Sequence, residues 1–231
     1  MSETLPPIIG FDLDGTLVDS NPDLGHSINH ALALAGRPPI EENATRRLIG
    51  GGAALMLRRA FDLTGGPLPE DEFALAHASQ MAFYEAHIAD NTRPYPGCIA
   101  ALDVLAARGC RLAVVTNKIE RFARLLLEQL DLTERFAVIL GGDSLGPNRS
   151  KPAPDLLLAA RERLGGGAMA YVGDSSFDVG AARAARMPVV LCAFGYNDRP
   201  TAELGADVVI DGYPELTPAL SRLEMARVAE D

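Results

Sequence analysis

The strongest constraint on the fold is an alternation of short apolar runs with segments of helical periodicity. The apolar runs cover residues 8–13, 112–116, 138–140, 170–172, 189–193 and 208–210. They are bounded by turn residues and rich in β-branched side chains, which is typical of strands buried on both faces of a parallel sheet. Helical spacing occurs between them, for example at 121–130 and 154–164. This alternation predicts an α/β fold with a doubly wound parallel sheet, a Rossmann-like core.

About a hundred residues separate the first two predicted strands, far more than one crossover helix needs. Asn21-Pro22 and Gly36 are typical of the beginning and end of a helix. Further helical patterns cover residues 42–49, 53–63 and 69–89. We therefore expect an inserted all-helical domain at residues 20–92 and an α/β core formed by residues 1–19 and 93–231. Residues 93–97, which include two prolines, form the predicted return hinge.

The chain is acidic, with 21 lysines and arginines against 31 aspartates and glutamates, a net charge of −10. Such a surface repels nucleic acids and anionic membranes, so we expect neither as a partner. No apolar run is long enough for a membrane span, and residues 1–7 lack the pattern of a signal peptide. Three widely spaced cysteines, Cys98, Cys110 and Cys192, predict reduced thiols in a cytoplasmic protein. We expect a monomer or a homodimer.

The first predicted strand ends in a dense polar pattern, Asp12-Leu13-Asp14-Gly15-Thr16. In an extended chain Asp12 and Asp14 point to the same side. Ligand sites in open α/β sheets lie beyond the carboxyl ends of the strands, which makes both carboxylates candidate site residues. For this motif taken alone, an ordinary strand followed by a polar turn is the alternative.

Three further signals occur along the same predicted edge of the sheet. Thr116-Asn117 ends the second strand and opens a helix, where a hydroxyl, an amide and free N–H groups can bind an anion or simply cap the helix. Lys151 precedes another helix and could supply positive charge, although most lysines are solvated. Asp174 is at the tip of the fourth strand, with Asp178 one helical turn later, and either could be an N-cap or a surface charge.

Together these residues predict a metal site. Asp12, Asp14 and Asp174 would repel one another unless a cation lies among them. Their ligand atoms are hard oxygens, and neither histidine nor cysteine accompanies them in these motifs. This donor set favours Mg²⁺ over zinc.

In their order, the four segments resemble the motifs of the haloacid dehalogenase-like phosphatases, and the helical insertion resembles the cap domain of that family. The resemblance extends over essentially the whole chain. It implies that Asp12 attacks phosphorus and that Asp14 is the general acid and base. It further implies that Thr116, Asn117 and Lys151 hold the phosphoryl oxygens, with Lys151 also counted among the catalytic residues.

The same resemblance implies a metal-binding arrangement and a substrate class. Asp174 would join Asp12 and the backbone carbonyl of Asp14 on Mg²⁺, and Thr16 and Asp178 would support these ligands. Softer similarities, at residues 11–20, 49–59, 116–118, 141–143 and 194–197, are to the phosphoglycolate phosphatases. They imply hydrolysis of a small phosphate ester, 2-phosphoglycolate, through an aspartyl-phosphate.

Other activities stay open from the sequence. A phosphomutase would use the same residues and pass the phosphoryl group to a sugar. A phosphatase for sugar phosphates, nucleotides or pyrophosphate would share the motifs. A hydrolytic dehalogenase needs neither Asp14 nor a metal cluster, because halide leaves without a proton. A non-catalytic phosphate-binding protein would usually lack the nucleophile or the acid, so a phosphatase is favoured.

Two local features each allow two interpretations. His26 and His30 lie four apart on a predicted helix, and without a third ligand nearby a helix-surface or interface role is favoured over a metal site. The glycines at 50–52 could form a turn between helices, or could let the backbone approach a substrate carboxylate with Arg46 or Arg58 nearby.

Two residues depart from the family pattern. Phe177 stands where the family usually has a polar residue. Arg186 replaces the glycine that usually ends the preceding helix, which must stop before Met187-Pro188. We expect a left-handed conformation at Arg186, which costs about 1 kcal/mol for a residue with a side chain. The alternative is that Arg186 contacts the helix carbonyls or an acidic partner.

Overall fold

The computed structural model describes residues 4–230, with side chains described through residue 223. Eight strands occur in this part of the chain. They are β1 (Ile8–Phe11), β2 (Val18–Asp19), β3 (Arg93–Pro94), β4 (Arg111–Val115), β5 (Val138–Leu140), β6 (Met169–Gly173), β7 (Val189–Cys192) and β8 (Val208–Ile210).

Six of these strands form one parallel sheet with the order β5-β4-β1-β6-β7-β8. β1 lies between β4 and β6, with Ile9 opposite Leu112 on one side and opposite Ala170 on the other. From β1 the chain winds first toward β5 and then toward β8, so the direction of winding reverses at β1. The predicted doubly wound parallel sheet is confirmed.

Helices cover both faces of the sheet. Those outside the insertion are α5 (Cys98–Ala107), α6 (Glu120–Gln129), α7 (Asp155–Arg163), α8 (Ser176–Ala184), α9 (Thr201–Leu204) and α10 (Leu216–Glu230). Successive strand residues point to opposite faces. Ile9 and Phe11 therefore join a core cluster with α5, α6 and α10, whereas Ile8 joins a second cluster with α7 and α8.

Four helices lie between β2 and β3 in the chain: α1 (Asn21–Leu34), α2 (Glu42–Thr45), α3 (Ala53–Thr64) and α4 (Glu70–Ala86). We call them the helical insertion. α1 packs against α4. The two connections to the sheet pair with each other, because β2 and β3 are antiparallel neighbours, and Asp23 accepts the backbone N–H groups of Asn91 and Thr92. The domain limits at residues 20–92 stay a prediction.

Some predicted element ends are wrong. α2 stops at Thr45 instead of residue 49, and α4 stops at Ala86 instead of residue 89. Gly50, Gly51 and Gly52 follow α2 with φ of 116°, 75° and 95°. Glycine adopts such angles without a Cβ penalty, and a helix cannot continue through them. The predicted hinge at residues 93–97 contains the short strand β3.

The helix-end prediction at Arg186 is confirmed. Its φ is 55°, its N–H donates to the Arg183 carbonyl, and the N–H of Met187 donates to the Ala182 carbonyl. These two bonds form the Schellman motif that glycine usually completes. The Arg186 side chain is exposed.

The remaining local expectations have simple structural counterparts. The three cysteines are buried and unpaired. His26 is exposed. The His30 ring stacks on Phe83 with 4.4 Å between the ring centres, and His30 Nε2 lies 3.1 Å from Ser79 Oγ, so His30 lies between helices. Among the described residues, no helix combines the length and apolarity that crossing a membrane requires.

Candidate active site

Asp12 is the first residue beyond the end of β1. Its N–H donates to the Val172 carbonyl of β6 at 2.9 Å, which extends the sheet pairing by one residue. The residue is only 9% exposed. Its carboxylate therefore lies at the carboxyl edge of the sheet, on the strand where the winding reverses, which is where open α/β sheets bind ligands.

Lys151 lies at the centre of a buried charge cluster. Its Nζ is 2.9 Å from Oδ1 of Asp12 and 2.6 Å from Oδ1 of Asp178, and it donates to the Tyr171 hydroxyl at 2.9 Å. The lysine side chain is 1% exposed. The contacts with Asp178 and Tyr171 are hydrogen bonds, whereas the contact with Asp12 is an ion pair, and among the described residues Asp12 Oδ1 accepts no hydrogen bond.

Asp178 orders the turn that follows β6. Its Oδ2 accepts the N–H groups of Asp174 and Ser175 and the Ser175 hydroxyl, at 3.2, 3.0 and 2.6 Å. Ser175 and Asp178 form a capping box at the start of α8. A carboxylate offers about four lone-pair sites, and with Lys151 on the other oxygen Asp178 has none free.

Asp174 is held from two sides and keeps spare capacity. The Thr16 hydroxyl donates to Oδ1 at 3.0 Å, and the Tyr196 N–H donates to Oδ2 at 2.6 Å. With one hydrogen bond on each oxygen, each oxygen retains a lone pair. Thr16 thus supports Asp174, as predicted for a partner of the metal ligands.

Burial and neighbouring charges shift the pKa values of the three carboxyl groups in different directions. Burial raises the pKa of Asp12 to about 6, although Lys151 opposes the shift. Burial, reinforced by Asp178 and Asp12, raises the pKa of Asp174 well above its ordinary value. Burial also acts to raise the pKa of Asp178, but Lys151 outweighs it and the pKa is lowered. Asp178 and Lys151 are therefore a stable ion pair, whereas charge on Asp12 and Asp174 would be stabilised by a cation.

The group of carboxylates differs from the expected one. Single oxygens of Asp12, Asp174 and Asp178 lie within 4.8 Å of one another, whereas the Asp14 carboxylate, expected in the group, is directed elsewhere. Asp178 is already saturated, so Asp12 and Asp174 are the members that could bind an ion. An all-oxygen set fits a hard divalent cation such as Mg²⁺.

The Asp14 carboxylate is bound by Lys118, a residue to which the sequence assigned no role. Lys118 Nζ donates to both carboxylate oxygens at 3.0 and 2.9 Å, and the Ser20 hydroxyl donates to Oδ1 at 2.6 Å. The ion pair is largely buried. Asp14 and Ser20 adjoin the entry to the helical insertion, so this contact joins the insertion to the loop after β4.

The prediction that Thr116-Asn117 opens a helix is wrong, because these residues lie in the loop after β4. α6 begins only at Glu120, and the Glu120 N–H donates to Asp143. The Asn117 side chain instead bonds the backbone of Lys151, accepting its N–H at 2.8 Å and donating to its carbonyl at 2.9 Å. Its amide therefore fixes Lys151, and only the backbone of Asn117 could contact a phosphoryl group.

A cavity of about 70 Å³ lies between the sheet edge and the helical insertion. Asp12, Asp14, Thr116, Asn117 and Lys151 line it on the sheet side. Asp174, Asp178 and Thr16 are not part of this lining and support it from behind. The insertion contributes the glycines at 50–52 and residues of α1, α3 and α4. The structure thus brings all the predicted site residues to one end of the sheet.

Neither arginine that was considered for a substrate carboxylate lines this cavity. Arg46 donates to the carbonyls of Phe194 and Gly195, at 2.6 and 3.0 Å. Arg58 is exposed and pairs with Glu70 at 2.8 Å. In this structure Arg46 is therefore directed to the loop after β7 and Arg58 to Glu70.

Phe177 explains the close approach of the insertion to α8. A Cβ built on Gly51 would lie 3.1 Å from the Phe177 ring and one built on Gly50 would lie 3.6 Å from it. Phe177 and the glycines all line the cavity. The aromatic ring thus forms an apolar wall against which the glycine turn packs.

Tyr196 is a second residue whose role the sequence did not show. Its hydroxyl accepts the N–H groups of Ser20 and Asn21 at 2.7 and 2.9 Å and donates to Asp19. Its own N–H holds Asp174. It therefore connects the candidate metal ligand to the start of α1, and its position in the 194–197 similarity was the only signal.

A family comparison identifies the class. The model of the haloacid dehalogenase-like hydrolases matches residues 7–186, which contain every site residue that the sequence predicted. The chain belongs to this family.

Individual relatives are also similar over nearly the full length. Phosphoglycolate phosphatase from Agrobacterium fabrum is 44% identical over 221 residues, covering 95% of this chain and 94% of the relative. Phosphoglycolate phosphatase from Rhodospirillum rubrum is 42% identical, covering 92% and 90%. The crystal structure of a predicted phosphoglycolate phosphatase from Haemophilus somnus is 36% identical, has a TM-score of 0.87, and covers 93% of this chain and 98% of that chain.

Proposed function

We propose that this chain is a Mg²⁺-dependent phosphatase that hydrolyses 2-phosphoglycolate through a phosphoryl group on Asp12. The observation that carries the proposal is the buried Asp12 carboxylate, 2.9 Å from Lys151 Nζ, in a cavity between the sheet edge and the helical insertion. Relatives that are 44% and 42% identical and are named phosphoglycolate phosphatase support the substrate.

In the first half of the reaction an Asp12 oxygen attacks phosphorus. An O–P bond forms to Asp12 while the ester P–O bond breaks, and the departing alkoxide takes a proton from Asp14. General acid catalysis of this kind typically contributes about 10²–10⁴-fold. Lys118 and Ser20 hold the Asp14 carboxylate at the cavity wall, through contacts of 2.9 and 2.6 Å.

In the second half Asp14 acts as the base. It takes a proton from a water molecule, which attacks the phosphorus of the aspartyl-phosphate, and Asp12 leaves as a free carboxylate with inorganic phosphate. The contacts from Lys118 and Ser20 fix the position of the Asp14 carboxylate for this step.

Mg²⁺ would be held by the carboxylates of Asp12 and Asp174 and the backbone carbonyl of Asp14, where it would offset negative charge between the nucleophile and the phosphoryl group. Thr116 through its hydroxyl, Asn117 through its backbone and Lys151 are the proposed phosphoryl contacts. We assign residues 20–92 as the cap domain over a core of residues 1–19 and 93–231.

The size of the cavity favours a small substrate. Sites for drug-sized ligands measure about 300–1,000 Å³, whereas this cavity has about 70 Å³. A two-carbon phosphate ester fits this space better than a nucleotide. The proposed setting for this reaction is the cytoplasm, where the three unpaired thiols would stay reduced.

Phosphate release from a panel of substrates tests the proposal. We expect 2-phosphoglycolate to give a higher kcat/KM than glucose 6-phosphate or a nucleoside monophosphate, with activity abolished by excess EDTA and restored by Mg²⁺. Asp12→Asn, with its mass checked for deamidation, should be at least about a hundredfold slower, because an amide is not an anionic nucleophile. Full activity in EDTA, or a preference for another ester, would contradict the proposal.

A further inference from the structure

Two side chains of α4 line the cavity with polar atoms that have no partner. Gln80 is 1% exposed and Tyr84 is 3% exposed. Among the described residues, Gln80 Oε1 accepts no hydrogen bond and the Tyr84 hydroxyl donates none. Burial raises the pKa of that hydroxyl to about 12, although Lys118, the nearby cation, acts to lower it. Both side chains belong to the cavity wall. They are four residues apart on one helix, so they lie on the same face of α4, one turn from each other.

Such groups are uncommon in folded proteins and need an explanation. A buried polar group without a partner loses its hydrogen bonds to water, which costs about 1–3 kcal/mol. Most buried polar atoms are therefore paired, and the exceptions often mark a functional site. Two on the same cavity wall indicate that α4 is arranged to bind a polar group of a ligand.

The charges around the cavity indicate which kind of group. Lys151 donates to Asp178 and Tyr171 and forms an ion pair with Asp12, so its charge lies at the sheet edge. Among the described carboxylates, Lys118 Nζ donates only to Asp14. The same Nζ lies 4.6 Å from the centre of the Tyr84 ring. Lys118 is thus the cation of the cavity wall that lies beside α4.

The start of α3 also borders the cavity. The helix begins at Ala53, which lines the cavity, and N–H groups at a helix start have no partner within the helix. Positive charge and N–H donors together favour an anion. With the phosphoryl group at Asp12, a second anionic group of the same substrate would contact another part of the cavity wall, where Lys118 and α4 lie.

We propose that Gln80 and Tyr84, with Lys118, form a subsite that recognises the carboxylate of the substrate; we call these three residues the tail subsite. The inference rests on the proposed function and names the residues that set its specificity. Tyr84 donates its hydroxyl proton to one carboxylate oxygen, and Lys118 supplies the charge.

Gln80 can join them by a rotation of its amide. Its Nε2 now lies 3.5 Å from Ser27 Oγ, a long contact, and the Ser27 hydroxyl donates to the Leu24 carbonyl at 2.7 Å. The two ends of a side-chain amide have nearly the same shape, but the NH₂ group donates hydrogen bonds and the oxygen accepts them. With Oε1 turned to Ser27, the Ser27 hydroxyl would rotate from the Leu24 carbonyl to donate to Oε1. The Gln80 NH₂ group would then face the cavity and donate to the carboxylate.

Tail-matched substrates test the subsite in the full-length protein with Mg²⁺. We would measure kcat/KM for 2-phosphoglycolate, 2-hydroxyethyl phosphate and ethyl phosphate, whose tails are a carboxylate, a hydroxyl and a methyl group. The variants are Tyr84→Phe and Gln80→Met, which remove the polar atoms at nearly constant volume. Tyr95→Phe is the matched control, because its hydroxyl is also buried without a partner and it does not line the cavity.

We expect Tyr84→Phe and Gln80→Met each to lower kcat/KM for 2-phosphoglycolate about tenfold or more, as a hydrogen bond to a charged group predicts. The same variants should lower kcat/KM for ethyl phosphate much less. Tyr95→Phe should leave the ratio of kcat/KM for 2-phosphoglycolate to kcat/KM for ethyl phosphate unchanged. The melting temperature of Tyr84→Phe should be equal to or above that of the wild type, since the hydroxyl has no partner to lose.

The outcomes separate the subsite from the proposed function. If the wild type prefers 2-phosphoglycolate but both variants keep that preference, the subsite is wrong and the function stands. If the variants lower kcat/KM equally for all three esters, the two side chains have a structural role and the subsite is again wrong. A wild type that favours 2-hydroxyethyl phosphate or ethyl phosphate overturns the carboxylate assignment and the proposed function together.

Discussion

Lys151 is the residue that holds the carboxylates of the site together. In a chain with a net charge of −10, a phosphorylated substrate needs local positive charge. Lys151 supplies it, because the Asp12 and Asp178 carboxylates keep its pKa above the ordinary value although burial acts to lower it. Removing one partner of a buried ion pair leaves an uncompensated charge. The lysine is thus both a proposed phosphoryl ligand and a structural element of the sheet edge.

The raised pKa of Asp12 predicts how Mg²⁺ binding depends on pH. Burial raises this pKa to about 6 in the protein without metal, so below that pH the ion must displace a proton. The apparent affinity should therefore increase as pH rises from about 5 to about 7, by up to about tenfold per pH unit for each proton released. Asp174, whose pKa is also raised by burial, extends the increase to higher pH.

Calorimetric titration with Mg²⁺ at several pH values, in buffers of different ionisation enthalpy, measures both the affinity and the protons released. Asp12→Asn should bind the ion more weakly and show a shallower pH dependence, because one titrating ligand is gone. An affinity that stays constant over this range would show that Asp12 is not a protonated ligand.

The sequence predicted the residues at strand ends but not those that face them. Asp12, Thr116 and Asp174 each lie at the end of an apolar run, and the geometry of parallel strands brings such residues together. Gln80 and Tyr84 stand in an ordinary helical pattern, and nothing in their spacing shows that they line a cavity. They meet Lys118 only through the packing of the insertion on the sheet.

At the scale of elements, the strands were predicted better than the helix ends. β5 and β8 have the predicted limits, because apolar runs bounded by turn residues mark buried strands well. The helix predicted at residues 42–49 is only four residues long, and turns with i→i−3 hydrogen bonds at Arg47 and Leu48 follow it. The pair β2 and β3 was missed, because two-residue strands leave no periodic pattern.

The end of α8 carries a prediction about stability. Arg186 has φ of 55° at the position of a Schellman motif where glycine is unstrained. Arg186→Gly should remove a cost of about 1 kcal/mol, offset in part by the greater entropy of the unfolded chain. We expect the melting temperature to rise by about 1–3 °C, as is typical for a chain of this size. Catalytic constants should not change, because Arg186 does not line the cavity.

Asp131→Gly is the matched control. Asp131 also has φ of 55° and ends a helix, α6, in the same manner, but aspartate tolerates this conformation better than arginine. Its replacement should therefore stabilise the protein less. If Arg186→Gly leaves the melting temperature unchanged or lowers it, the residue is not strained.

At the scale of the whole molecule, the helical insertion completes a site that the sheet begins. The sheet edge offers the charged residues, and the insertion contributes the apolar and polar wall of a small cavity. Ser20 bonds Asp14, and Tyr196 bonds both Asp174 and the start of α1. The entry to the insertion is thus tied to the residues proposed to carry the reaction. Sequence order alone could not show these contacts, because they join residues far apart in the chain.

The central claim is that Asp12 carries the phosphoryl group and that Asp14 then activates water. The most direct measurement uses Asp14→Ala with Mg²⁺ and p-nitrophenyl phosphate, whose leaving group departs without a proton from Asp14. Phosphorylation of Asp12 should then proceed while hydrolysis stalls. We predict a burst of about one equivalent of p-nitrophenol, the kinetic sign of a covalent intermediate, and a phosphoryl adduct on the peptide that contains Asp12 after acid quench. Steady turnover without a burst, or a burst without an adduct on Asp12, would contradict the mechanism.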